Sequence, residues 1–164
     1  MRTRPERILL FRSGRHLRAA IAALRAGSPG CAITVVATPA AVALLDQVGV
    51  DAAHRIVYDR TPFFRPWPFL TSPAGVRAIA GRFDRVCVLW NDPDGSGQAN
   101  VDRTALAVSP RGFTSITADG SITAHRAGPL VAREIGRAAA SLGVAAALNL
   151  LLFLPARLLR PFRS

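Results

Sequence analysis

The chain has 164 residues, which suits one domain with an appendage. Half of the residues are hydrophobic and 19% are charged, a balance that supports a packed core and excludes an intrinsically disordered chain. The formal charge is +11 and is carried by arginine alone, since no lysine occurs. The arginines are scattered rather than interleaved with aromatics in one stripe, so nucleic acid is not an expected partner; anionic lipid or a phosphorylated ligand suits the charge.

Residues Met1–Arg7 are basic, but Ile8–Phe11 is too short for the hydrophobic segment of a signal peptide, so a cytoplasmic domain is expected. Ile8–Phe11 is instead an unbroken apolar run of the kind found in a strand buried on both faces. Leu17, Ala20, Ile21 and Leu24 follow at helical spacing, and Gly27, Pro29 and Gly30 close that helix. Ile33–Val36 is a second strand, rich in β-branched residues. Thr38 fits an N-cap with Pro39 in the first helical position, opening a helix through Val42, Leu44, Leu45 and Val48 that ends at Gly49. Arg55–Tyr58 reads as a third strand. Four prolines, Pro62, Pro66, Pro68 and Pro73, predict a loop over 59–73. Ser72 and Pro73 open a helix through Val76 and Ile79 that closes near Gly81, and Val86–Trp90 is a fourth strand. A turn-rich stretch, Asn91–Gly97, leads to a short helix over 100–108. Thr114–Thr117 is a fifth strand, and Asp119-Gly120 predicts a tight turn into Ile122-Thr123.

Alternating strands and helices with short connections predict an α/β fold: a Rossmann-like, doubly wound parallel sheet of about five strands in the order 3-2-1-4-5, followed by a C-terminal hydrophobic helix. Cys31 and Cys87 lie at or in separate strands without zinc-ligand spacing, so they are expected to fill core space, unbridged and metal-free. His54 and His125 have no partner pattern and are expected at the surface.

Composition shifts near Gly128-Pro129, which divides the chain into 1–128 and 129–164. Ala138–Ala156 is an uncharged stretch of about 19 residues, close to the bilayer core in helical length. Arg137 precedes it and Arg157, Arg160 and Arg163 follow it. Two readings stand: membrane association through residues such as Leu151 and Phe153, or burial in a homodimer interface. Phe63, Phe64 and Trp67, in the loop from Pro62 to Leu70, suit a membrane interface as well, unless that loop folds over the domain's own core.

In an open parallel sheet, ligands bind beyond the carboxyl ends of the strands where the order reverses. For 3-2-1-4-5 that crevice lies between the first and fourth strands. The loop Arg12-Ser13-Gly14-Arg15-His16 and the loop from Asn91 to Gly97 should converge there, with Asn91, Asp94, Gly95, Gly97 and Asn100 joining Arg12, Ser13, Gly14 and Arg15 as ligand contacts. Arginine suits phosphate or carboxylate, and His16 beside Asp92 would form an acid–base pair. Gly95-Ser96-Gly97 opens a helix, the context of a phosphate loop, but Asp92 and Asp94 repel anions, so a hydroxyl-rich ligand or a structural turn fits better than a dinucleotide. No nucleophile elbow or zinc-protease motif is present, and no cofactor is expected.

Over roughly residues 7–90 the chain resembles the N-terminal half of glycosyltransferase family nine, the heptosyltransferase-like group. The resemblance is carried by 7–12 (RILLFR), Ala23-Leu24-Arg25 with Pro29, 32–36 (AITVV), Val50-Asp51 before 55–59 (RIVYD), and 82–88 (RFDRVCV). It implies a shared fold, a setting in cell-envelope glycan assembly, and a sugar-phosphate or lipid-linked acceptor. That family carries a catalytic Asp in the loop after its first strand, where this chain has Ser13-Gly14-Arg15-His16. It also binds its nucleotide sugar mainly through a second domain, for which no room is expected here. Two functions follow: a glycosyltransferase-like half-domain at the cytoplasmic membrane face, working with a partner transferase or as a dimer, or a non-catalytic membrane-tethered accessory protein with a vestigial crevice.

Overall fold

The computed structural model describes residues 4–11, 16–60, 64–92, 95 and 97–128. The chain divides into two units, Met1–Ala127 and Gly128–Ser164; the second lies, but for its first residue, outside the described residues. So do the hydrophobic stretch with Leu151 and Phe153, the residues from Arg12 to Arg15, Phe63 and Asp94. Among the described residues, no helix is long and apolar enough to cross a membrane.

The first unit is an α/β sheet layer with helices on its two faces. Strands β1 (Arg7–Phe11), β2 (Ala32–Ala37), β3 (Arg55–Val57), β4 (Arg85–Leu89), β5 (Gly112–Ile116) and β6 (Ile122–Arg126) form one sheet in the order β3-β2-β1-β4-β5-β6. All neighbours are parallel except β5 and β6, which pair antiparallel. The expectation of about five strands is therefore corrected to six. The tight turn at Asp119-Gly120 extends the hairpin through Arg126, because the Asp119 carboxylate takes bonds from Ser121 N–H and from the hydroxyls of Thr117 and Ser121 and so fixes the register. Those bonds, led by the one from Thr117, hold the Asp119 carboxyl below its ordinary range.

Helices α1 (Leu17–Gly27) and α2 (Val42–Gln47) cover one face. Their apolar stripe (Leu17, Ala20, Ile21, Leu24 and Leu45) meets Ile8, Leu10, Ile33, Val35, Cys87 and Leu89 in an aliphatic core. A turn of 3-10 helix at Pro39–Ala41 precedes α2, and the Thr38 side chain makes no cap bond, so the expected cap at Thr38 is replaced by Pro39 alone. Both cysteines are free, and burial pushes the Cys87 thiol up to about 12.

Residues of opposite parity in the strands face α3 (Pro66–Leu70), α4 (Pro73–Ala80) and α5 (Ala99–Val108). Here the core is aromatic. Phe11, Tyr58, Phe64 and Phe69 lie with ring centroids 5.3–6.1 Å apart, mostly edge to face. This corrects two expectations. The stretch over 59–73 is not wholly a loop: Pro66 occupies the first turn of α3, where its missing N–H costs nothing, and Phe69 anchors that helix in the core. Phe64 is no membrane contact, because it is only 3% exposed and its carbonyl accepts a bond from the Thr104 hydroxyl of α5. Trp67, in contrast, is 76% exposed.

Candidate functional site

The strand order reverses between β1 and β4, which run side by side with Phe11 opposite Val88. Whatever follows their carboxyl ends is brought to one edge of the sheet. From β1 this is the stretch ending in His16; from β4 it is Trp90 and the loop that leads into α5.

His16 is exposed and stands immediately before α1, its carbonyl accepting the Ala20 N–H at 3.0 Å. Among the described residues, no ion pair joins its ring to Asp92. α1 begins at Leu17, and the His16 carbonyl is its first backbone acceptor. Asn91 and Asp92 are exposed at the end of β4, and Asn100 is exposed in the first turn of α5.

Backbone hydrogen bonds link the described residues between them. Gly95 N–H donates to the Asp92 carbonyl at 3.0 Å, Gln98 N–H to the Gly95 carbonyl at 3.1 Å, and Val101 and Asp102 N–H both to the Gln98 carbonyl. Gly95 has φ +69°, and a Cβ there would stand 2.8 Å from three atoms of the Trp90 six-membered ring. Only glycine allows the backbone to lie on that ring in the left-handed conformation. Trp90 is in turn fixed by its indole N–H, which donates to Asp102 Oδ1 at 2.9 Å. Gly97 also has positive φ, at +76°. Gly95 is thus held in a defined position between Trp90 and the start of α5.

Gln98 was not foreseen from the sequence. It is 8% exposed, and its side-chain amide has no hydrogen-bond partner among the described residues. A buried primary amide without partners costs about 1–3 kcal/mol, so native proteins seldom retain one without a use. Its signal in the sequence is its place on the buried stripe of α5, three residues before Val101 and seven before Ala105, where an apolar residue would pack.

A second polar cluster lies further along the same face. The His125 ring sits 5.0 Å from Phe113 and 4.8 Å from Trp90, and its Nε2 is 2.8 Å from the Ser115 hydroxyl. Burial lowers its pKa from the ordinary histidine value. The expectation of a surface residue without partners is corrected for His125: strand β6, by pairing with β5, lays the ring opposite Phe113. His54 is half exposed, 4.0 Å from Asp51. Among the described residues no group of three or more His, Cys, Asp or Glu is placed to hold a metal ion.

No family model, no curated protein and no solved structure matches this chain.

Proposed function

We propose that the chain is a Rossmann-like, glycosyltransferase-like half-domain that binds a sugar-phosphate or lipid-linked acceptor at the carboxyl edge of β1 and β4, at the cytoplasmic face of the membrane. The observation that carries the ligand-binding part is the Gln98 amide, buried and without a hydrogen-bond partner among the described residues, at the start of the helix that follows β4. A primary amide can both donate to and accept from a sugar hydroxyl, and Asn91, Asp92 and Asn100 supply the further acceptors and donors that a polyol needs. Asp92 disfavours a bare anion beside the loop after β4. Arg12 and Arg15, from the loop after β1, carry the charge that would meet a phosphate. No side chain is assigned a catalytic role, and donor binding is not assigned to this unit.

The competing reading, a non-catalytic membrane-tethered accessory protein, is favoured by one fact: Ser13-Gly14-Arg15-His16 offers no carboxylate where the resembling enzymes have their base.

Thermal-shift titration with nucleotide sugars, sugar phosphates and polyprenyl phosphates tests the ligand. The decisive variant is Gln98→Leu. Replacing an unpartnered buried amide by an apolar side chain of similar size should leave the free protein as stable as before or up to about 1 kcal/mol more stable, while the ligand-induced shift disappears. A Gln98→Leu protein that still responds to ligand would move the site elsewhere. One that loses more than about 1 kcal/mol would show that the amide has partners within the protein.

A further inference from the structure

Helix α4 has the composition of a buried helix, yet it has one open face. Its sequence, 73–80 (PAGVRAIA), contains a single charge. Ala74, Gly75 and Ala78 are buried, while Val76 and Ile79 are 59% and 51% exposed. Three residues apart, Val76 and Ile79 lie on one helix face. Apolar residues all round a helix normally mean cover on every side.

The adjoining helix adds to that face. The α3–α4 corner is closed tightly: the Ser72 hydroxyl donates to the Phe69 carbonyl at 2.6 Å and accepts from Gly75 N–H at 3.1 Å. A Cβ on Gly75 would stand 2.1 Å from the Phe69 carbonyl oxygen, so the two helices meet backbone to backbone. Trp67 projects from α3 with 76% exposure, the most exposed of the large hydrophobic residues described. Trp67, Val76 and Ile79 thus stand on two helices held rigidly together.

The charge along this stretch of sequence is of one sign. Between Asp59 and Asp84 the sequence contains Arg60, Arg65, Arg77 and Arg82 and no acidic residue. All four arginines are exposed. An apolar protein partner would require only the hydrophobic side chains. Exposed tryptophan and aliphatics among arginines, with no carboxylate from 60 to 83, complement a surface that is apolar beneath and anionic above.

We infer that the outer face of α3 and α4, through Trp67, Val76 and Ile79 with Arg60, Arg65 and Arg77, docks on an anionic lipid surface. It rests on the membrane-associated reading above and names the face of the α/β unit that meets the bilayer. Trp67 and the two aliphatics enter the headgroup–acyl boundary while the guanidinium groups engage lipid phosphates. The face works independently of residues 138–156: those can tether the chain, whereas this one would orient the α/β unit.

The test uses the full chain with vesicles of phosphatidylglycerol and phosphatidylcholine in equal parts, carrying brominated acyl chains that quench only tryptophan at the boundary. Trp67 and Trp90 are the two tryptophans, and Trp90 is buried. Quenching of the wild-type emission, absent in Trp67→Phe, is the expected result, with loss of quenching in 0.5 M salt or on pure phosphatidylcholine. The double variant Val76→Ser, Ile79→Ser should weaken vesicle binding roughly tenfold, the equivalent of a few buried methylenes. Circular dichroism identical to wild type shows that such variants at exposed positions still fold. If the chain sediments with vesicles but Trp67 stays unquenched, this face is not the contact, while the membrane reading survives. If it does not sediment at all, both fail. If Trp67 is shielded without lipid in a concentration-dependent manner, a second copy occupies the face and the inference is overturned.

Discussion

The two faces of the sheet are built from different material. The face under α1 and α2 is aliphatic and made of interchangeable parts: leucine, isoleucine, valine and alanine from helix and strand. The face under α3, α4 and α5 is aromatic and carries the exceptions. It holds most of the buried polar side chains (Ser72, Gln98, Thr104 and Ser115, against Thr114 beside Cys87 on the first face), the backbone contacts at Gly75 and Gly95, and the exposed Trp67. A core that only needs to be dry has no reason to accept such groups, each of which needs a specific partner to offset its desolvation. The difference teaches where to look for function in this molecule: the first face is scaffold, and the second is where geometry is specified residue by residue.

The sharpest way to break that contrast is to remove an aromatic anchor. Phe69 is fully buried and touches Phe11, Tyr58 and Phe64. Phe69→Ala should cost about 3–5 kcal/mol in urea unfolding. Leu10→Ala, on the aliphatic face, should fall in the same range, about 2–5 kcal/mol, because both faces belong to one cooperative sheet. A loss below 1 kcal/mol for Phe69→Ala alone would mean that the aromatic layer unfolds separately from the strands.

Next in size is a pair of glycine substitutions with opposite signs. Gly75→Ala places a methyl group against the Phe69 carbonyl and should destabilise by about 2 kcal/mol or more, since backbone has to move. Gly27→Ala, at the end of α1 with nothing within 4 Å of the added Cβ, should be neutral or stabilise by about 0.5–1 kcal/mol. Melting temperatures of the two variants settle it; equal effects would refute the close packing of α3 on α4.

How far each face could be read from the sequence follows from the same contrast. Periodicity reports burial by repeated, interchangeable apolar side chains, so β1, α1, β2 and β4 were legible within a residue or so at their ends. It also pointed to the switch between β1 and β4, because that depends only on connectivity. The aromatic face was less legible. Prolines at 62, 66, 68 and 73 masked α3, since proline in a first turn reads the same as proline in a loop. Phe64 and Trp67, three residues apart in one aromatic stretch, went to opposite environments, and composition cannot divide them. Gln98 and His125 were missed for a related reason. A polar residue is read as exposed unless its place on a buried stripe, or its cross-strand partner, is already known.

At the strand ends, Arg85 ties the start of β4 to the chain before β1. Its guanidinium donates to both Glu6 oxygens at 3.0 and 2.7 Å and to the Ser28 hydroxyl at 2.7 Å. Those bonds hold the Glu6 carboxyl below its ordinary value of 4.5. Glu6→Gln should cost about 1 kcal/mol at neutral pH, the upper range for a pair that solvent still reaches. The sign with pH is fixed: a lowered carboxyl stabilises the fold above about 4.5 and ceases to do so as the pH falls through its folded value. Denaturation midpoints of wild type and Glu6→Gln should therefore converge in acid, and parallel curves down to pH 3 would show the pair to be energetically silent.

The smallest expected effect tests whether polar specification extends to the edge of the sheet. His125, between Trp90 and Phe113 with Ser115 at its Nε2, is kept neutral by burial, and its folded pKa lies below the 6.5 of a free histidine. As the pH drops beneath 6.5, the unfolded chain binds a proton that the folded ring refuses. Stability is then complete above that value, declines below it, and levels off once the folded ring is protonated too. This window opens at 6.5, above the 4.5 at which that of Glu6 opens. His125→Asn removes the titration and should flatten the melting temperature between pH 7.5 and 5.5 relative to wild type, whatever its effect on absolute stability. A wild-type curve already flat across that interval would mean that β6 leaves the ring to solvent, and that the aromatic face ends at β5.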